Sequence, residues 1–217
     1  QTLRRILAIP DSLERLAAMK EWCRNLPPDP VLGVMQECKG VMEAVEQTGD
    51  VEATALFFQS VDVFAQALLE QGPGNVLAVL LAPEVEGEDA DLRVGLGGEV
   101  FKKWAERDPA AARALLETRL AAGGKIGRAE TELSKHLMRA WVKTDPDAAM
   151  GWLLKQPKEV ADEAISPAFQ ALSHHDPDKA LKLVAEQADL PGRDEIAATI
   201  AQWWAKTTPD KALEWAQ

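Results

Sequence analysis

The stretch WVKTDPDAAMGW, residues 141–152, decides how this chain folds. Trp141 stands five residues before Pro146, Trp152 stands six residues after it, and Asp145 directly precedes it. Asp-Pro is a typical helix start, because the Asp side chain accepts hydrogen bonds from the free N–H groups of the first turn and Pro has no N–H to lose. Pro also disfavours helix at the residue before it. The stretch therefore predicts that one helix ends and the next begins here.

The same arrangement recurs along the chain at prolines spaced by 36, 37, 31 and 32 residues: Pro73, Pro109, Pro146, Pro177 and Pro209. A period of this length is typical of helical repeats. When the repeats are aligned on these prolines, three aligned positions, or columns, are apolar. Five residues before them stand Leu68, Trp104, Trp141, Leu172 and Trp204; three after stand Val76, Ala112, Ala149, Ala180 and Ala212; six after stand Val79, Leu115, Trp152, Leu183 and Trp215.

These columns predict a helical hairpin in each repeat. Upstream of the last four prolines the apolar residues continue at i, i+4 and i+8, which is one face of an amphipathic helix. The small residue three positions after Pro allows the second helix to approach the first, and the residue one turn later covers the Trp of the preceding helix. We expect this core role for every Trp in the columns. The expected N-caps are Asp108, Asp145, Asp176 and Thr208, with Gly72 a weaker one.

Short linkers rich in helix-breaking residues join the hairpins at 121–128, 156–158 and 190–194. Hairpins of this size cannot bury both faces alone, so the sequence predicts an all-α fold, an α-solenoid of stacked antiparallel helical hairpins that forms a tetratricopeptide-like superhelix. Pro167 conflicts with the first helix of its repeat, which is either kinked there or begins at Ser166.

The first third of the chain matches the period less well. We predict a divergent N-terminal helical or capping region over residues 1–72, with helices at 2–25, 31–48 and 51–71. The helical-hairpin repeats occupy 73–217 and continue the first part as one solenoid. Because both chain ends fall in or near predicted helices, we expect a piece of a longer protein.

The repeats resemble a known bacterial family. The stretch PGRDEIAATIAQWWAKTTPDKALEWAQ, residues 191–217, together with WAERDPAAARALL and WVKTDPDAAMGWL, resembles the Trp-Ala-x-x-Asp-Pro-x-x-Ala-Leu repeats of large bacterial proteins, most of them uncharacterised. These are similar to tetratricopeptide and Sel1-type solenoids. The resemblance implies architecture and no particular activity. Many such proteins are exported, so it also implies an exported or periplasmic location, with the cytoplasm left open.

The composition excludes two classes of partner, nucleic acid and the membrane interior. The 35 acidic and 24 basic residues give a net charge of −11, which repels the phosphates of nucleic acid, so no nucleic-acid partner is expected. No apolar run approaches the roughly 20 residues that span a bilayer, so no membrane insertion is expected.

Residues 1–92 carry a net charge of −10 and residues 93–217 a net charge of −1. This asymmetry predicts salt-sensitive head-to-tail self-association. Cys23 and Cys38 form either a disulfide or two buried thiols.

The other candidates for chemistry have simpler structural readings. The run His174-His175-Asp176 suggests a metal site, but neighbouring helical residues point about 100° apart and Asp176 is explained as a cap. The stretch GLGGEV, 95–100, is read as a linker, and the acidic run 84–91 as a solvated loop between helices. No metal site, cofactor or catalytic residue is predicted.

The most favoured function is a non-catalytic scaffold that binds a protein or peptide segment, with a groove lined by the first helix of each hairpin. The positions two before and two after the Trp column are mostly basic or amide, which favours an acidic segment; Trp203 lies beside the buried stripe as a surface anchor. The candidate groove residues are Lys102, Glu106, Arg139, Lys143, His174, Trp203 and Lys206, with Gln170 and Gln202 in the same columns. The alternatives are a helical arm of a larger enzyme, with a cell-envelope or cell-wall role, and a structural spacer.

Overall fold

The computed structural model describes residues 2–24, 61–62, 64–70, 72–82, 88–123, 126–187, 190, 192–207 and 209–210. Every regular element in these ranges is a helix, so the prediction of an all-α chain is confirmed. The chain divides into two compact units, Gln1–Trp104 and Ala105–Gln217. The repeat boundary between residues 72 and 73 stays a prediction.

The first unit contains α1 (Thr2–Leu7), α2 (Ser12–Arg24), helical residues 61–62 and 64–70, α3 (Pro73–Leu80) and most of α4 (Glu88–Arg107). The single helix predicted over 2–25 is wrong. Pro10 lacks an N–H to donate, and Asp11 Oδ1 accepts hydrogen bonds from the backbone N–H groups of Leu13 and Glu14 at 3.0 and 2.8 Å, which starts α2. The helix predicted at 31–48 lies outside the described residues, and the one at 51–71 is helical where it is described.

The glycine-rich stretch 95–100 is not a linker, because it lies inside α4. Gly97 is buried, and a Cβ atom on it would lie 2.8 Å from Leu81 Cδ2 and 3.6 Å from Leu80 Cβ. The missing side chain therefore allows α4 to pass close to the end of α3, and the contact compensates for the poor helix propensity of Gly. The prediction of a loop over the acidic run 84–91 is wrong from Glu88 onward, where α4 begins, and residues 84–87 lie outside the described residues.

The second unit contains six further helices: α5 (Pro109–Ala121), α6 (Arg128–Trp141), α7 (Pro146–Leu153), α8 (Lys158–His175), α9 (Pro177–Glu186) and α10 (Arg193–Thr207). The long helix α6 packs against α8, and α8 packs against α10. The shorter helices α5, α7 and α9 each pack against the long helix that follows them. Leu137 and Phe169, on α6 and α8, are among the largest fully buried side chains.

The Asp-Pro joints form as predicted. Asp108, Asp145 and Asp176 are the N-caps of α5, α7 and α9, and Oδ1 of each accepts the backbone N–H three residues later at 3.0 Å. Gly72 caps α3 without a side-chain bond. The predicted cap Thr208 lies outside the described residues.

Replacing Asp145 with alanine should lower the free energy of unfolding by about 0.5–2 kcal/mol, because the N–H of Ala148 loses its acceptor. Urea unfolding followed by circular dichroism measures the change. Asp145→Asn is the matched control, since Asn caps helices about as well as Asp. An equal loss for Asn and Ala would mean that the carboxylate charge, and not the cap, stabilises the joint.

Pro167 lies inside α8, which begins at Lys158 and not at Ser166. Pro167 cannot donate to the carbonyl of Glu163, a defect that costs about 3 kcal/mol in an isolated helix. The buried face around it keeps the helix continuous, because Ala164, Ile165 and Ala168 are all sealed from solvent.

The Trp column is mostly sealed. Trp141 is 9% exposed and Trp204 is 3% exposed, as the core prediction requires. Trp104 and Trp152 are half-buried, so the prediction of a core position holds for them only in part. Trp215 lies outside the described residues.

Candidate binding surface

The helices α6, α8 and α10 are joined in series by two side-chain contacts. Lys135 Nζ on α6 lies 2.7 Å from Glu163 Oε2 on α8. The imidazole of His174 on α8 stacks on the indole of Trp203 on α10, with ring centroids 4.8 Å apart and planes 25° apart. Positions in each helix can be numbered from the residue five before the following proline, which is Trp141 in α6, Leu172 in α8 and Trp204 in α10. Lys135 and Glu163 are then at −6 and −9, and His174 and Trp203 are at +2 and −1. In both contacts the partner on the later helix therefore stands three positions earlier. The two contacts therefore share one offset.

The Lys135–Glu163 pair also raises the pKa of Lys135 above its ordinary value of 10.5. The main cause is the hydrogen bond to Glu163, which favours the charged ammonium; burial opposes it, and Glu132 adds to it. A raised lysine pKa means that the pair stabilises the folded state fully below pH 10.5 and ceases to do so as the pH rises through the folded-state value.

Glu163→Gln should therefore lower the free energy of unfolding by about 0.2–1 kcal/mol near neutral pH, because the amide cannot pair with the ammonium. The difference from the wild type should shrink as the pH rises above about 10.5. Unfolding in urea at a series of pH values measures it, with Glu159→Gln, an exposed position on the same helix, as the control. A difference that is constant across this pH range would contradict the assignment to Lys135.

The structure places the seven predicted groove residues as follows. Glu106, Arg139, Lys143, His174 and Lys206 are exposed, and Lys102 and Trp203 are half-buried. Lys102 lies in the first unit, where its Nζ donates to Glu99 Oε2 at 3.1 Å. The other six belong to the second unit, and His174 and Trp203 are in direct contact.

The His174–Trp203 stack joins two residues that the sequence indicated as candidate groove residues for different reasons. His174 belongs to the polar groove column, whereas Trp203 is flagged as an indole beside the buried stripe. At the position of Trp203, the preceding long helices carry Lys103, Ala140 and Ala171. Among the described helices α6, α8 and α10, only α10 therefore has an aromatic side chain at this position of the repeat, and a partly exposed indole is the side chain most enriched at binding hot spots.

Charge is distributed unevenly along these three helices. Their first turns contain both signs of charge: Arg128 with Glu130, Lys158 with Glu159, and Arg193 with Asp194 and Glu195. Their last turns contain the basic residues Arg139, His174, His175 and Lys206, and Lys143 follows the end of α6. We name these five basic residues, Arg139, Lys143, His174, His175 and Lys206, the basic edge.

Five carboxylates follow these last turns in the chain: Asp145, Asp147, Asp176, Asp178 and Asp210. Asp145 and Asp176 accept backbone N–H groups at the N-termini of α7 and α9, where the helix dipole is positive. Asp147 Oδ2 lies 2.6 Å from Lys179 Nζ, whereas the described contacts give Arg139, Lys143 and Lys206 no ion pair.

A second group of side chains, around Trp141 and Trp152, was only partly predicted from the sequence. The rings of Trp141 and Trp152 lie 6.1 Å apart, as the prediction that one covers the other requires. The guanidinium of Arg113 lies 5.1 Å from the centroid of Trp141, and Trp152 Nε1 donates to Glu117 Oε1 at 2.8 Å. For Arg113 and Glu117 the sequence signal is weak, because it consists only of their i, i+4 spacing on α5. This group links α5, α6 and α7, so Trp141–Trp152 is a structural joint.

No protein-family model, curated protein or solved structure matches this chain. Among the described helices, none is long and apolar enough to cross a membrane. The described ranges also contain no group of three His, Cys, Asp or Glu side chains that could hold a metal ion.

Proposed function

We propose that this chain is an α-solenoid of helical hairpins that binds a protein or peptide segment on the exposed face of α6, α8 and α10. The observation that carries the proposal is the common offset of the Lys135–Glu163 and His174–Trp203 contacts. Equal offsets are what stacked, equivalent hairpins produce, and stacking repeats expose one continuous face.

The contacts between neighbouring helices support the same arrangement. Each short helix packs against the long helix that follows it, and successive long helices pack against each other. Lys179 Nζ on α9 lies 2.6 Å from Asp147 Oδ2 on α7, so the short helices are also joined in series. The face of the long helices carries exposed polar side chains, Arg139, Gln170 and Gln202 among them, that the core does not use.

The test places a bulky side chain in the middle of this face. Peptides are first selected from a random display library on the purified wild-type chain, and their affinity is then measured for Gln170→Trp. Gln170 is exposed in the C-terminal half of α8, the middle of the three long helices, so the indole should obstruct the bound segment and lower the affinity at least about tenfold, which is about 1.4 kcal/mol.

Ala185→Trp is the matched control, because Ala185 is an exposed residue of α9, on the other layer of helices. It should leave the affinity unchanged. Failure to select any peptide, or an equal loss in both variants, would refute binding at this face.

A further inference from the structure

We propose that the bound segment is acidic and extended, that it crosses the basic edge from α6 to α10, and that one apolar side chain of it packs against Trp203. This inference rests on the proposed function, for which it names the partner. The occupant is assigned by its chemistry, from the charge and aromatic groups gathered at this edge.

Charge complementarity is the first step. Arg139, Lys143 and Lys206 are exposed, and the described contacts assign none of them an ion pair within the unit. The neighbouring carboxylates Asp145 and Asp176 are directed to the backbone of the next helices. Cations that have no ion pair within the described residues favour a partner with carboxylates, and they disfavour a basic one.

The positions of these groups also fix the direction and length of the partner. Packed helices lie about 8–10 Å apart, so three of them in series span about 16–20 Å from axis to axis. An extended chain advances about 3.3 Å per residue, so roughly six residues cross from α6 to α10. The partner therefore crosses the helices and does not lie along one of them, since the exposed cations Arg139, Lys143 and Lys206 are divided between the C-terminal ends of α6 and α10.

The aromatic stack marks one end of this path. His174 covers one side of the Trp203 ring system at a centroid distance of 4.8 Å, and Trp203 remains partly exposed. Stacking restrains the indole, so a partner loses little entropy on binding to it. An apolar side chain near Trp203 and acidic residues toward Arg139 and Lys143 fit both ends of the surface.

Basic last turns also stabilise helices through the dipole, and the experiment must separate that role from binding. The dipole explanation predicts that charge reversal lowers stability and leaves ligand affinity unchanged. It makes no prediction for the indole of Trp203. Affinity and stability are therefore measured on the same variants.

The probes are fluorescein-labelled peptides with a Leu at one end and a run of about six Glu residues, synthesised in both orders of sequence. Matched probes carry Gln in place of Glu, or Ser in place of Leu. Fluorescence anisotropy at low ionic strength should show the Glu probe binding at least about tenfold more tightly than the Gln probe. Added salt should weaken the Glu probe, because screening shortens the range of charge interactions.

Arg139→Glu combined with Lys143→Glu should weaken the Glu probe at least about tenfold. The matched control is Lys155→Glu combined with Lys182→Glu, which makes the same charge change at exposed positions outside the long helices. Trp203→Ala should weaken the Leu probe several-fold and the Ser probe much less. His174→Ala, which removes the exposed half of the stack, is the companion variant if Trp203→Ala unfolds the chain.

Equal binding of Glu and Gln probes, or equal losses in the two charge-reversed variants, would overturn the acidic partner. Obstruction by Gln170→Trp of peptides selected without charge bias would then still support the proposed function. The acidic first third of a second copy is the other candidate occupant. Light scattering at low salt that shows a dimer, lost on Arg139→Glu with Lys143→Glu, would assign the surface to that copy and overturn a separate partner.

Discussion

Phe169→Ala should lower the free energy of unfolding by about 3–5 kcal/mol. Phe169 is 1% exposed and lies on α8, the helix that packs against α6, α7, α9 and α10. Truncation removes a fully buried ring from a helix that contacts four others, and it leaves a cavity that a helix fixed on several sides cannot easily close. Urea unfolding followed by circular dichroism should show a lower midpoint with a similar slope.

Gln170→Ala is the control for this prediction, because Gln170 is the next residue and is exposed. It should change the free energy of unfolding by less than about 0.5 kcal/mol. A loss at Phe169 of similar size to that at Gln170 would show that α8 is not the centre of the core.

Trp141→Ala should cost about 3–5 kcal/mol as well, since it removes the side chain on which the joint between α6 and α7 is built. The indole is 9% exposed, lies 6.1 Å from the ring of Trp152, and has the guanidinium of Arg113 over it at 5.1 Å. All of these contacts are lost together, and Arg113 loses the aromatic face that holds it. Chemical unfolding detected by circular dichroism avoids the change in Trp fluorescence that the substitution itself causes.

Trp152→Phe is the comparison variant, because it keeps an aromatic ring beside Trp141 and removes the hydrogen bond from Trp152 Nε1 to Glu117. The bond is exposed, so this variant should lose only about 1 kcal/mol. Comparable losses for Trp141→Ala and Trp152→Phe would place the stability of the joint in the Glu117 contact and not in the buried indole.

The helix starts were predictable because their causes are local. Asp145 and Ala148 are three residues apart, so the sequence alone brings the acceptor to the donor, and the same holds at the other Asp-Pro joints. The break between α1 and α2 follows the same chemistry, although the apolar pattern led to one helix over 2–25. There the local signal of Pro10 and Asp11 outweighed the periodicity.

The glycines of 95–100 and the proline of 167 show the opposite case. Both are helix-breaking signals by local propensity, yet both lie inside helices. Gly97 is tolerated because Leu81 occupies the space beside it, and Pro167 because the faces on both sides of it are buried. Tertiary packing supplies more free energy than propensity does, so these positions could not be predicted from neighbours in sequence.

The candidate surface divides in the same way. The sequence by itself determined the helical class, the Asp-capped joints and the exposed polar columns, because each depends on residues within one or two turns of each other. Only the tertiary structure decided that His174 meets Trp203 and that Lys135 meets Glu163, at separations of 29 and 28 residues. Such contacts depend on how one helix is staggered against the next. The stagger is set by how the buried side chains of the two helices pack together.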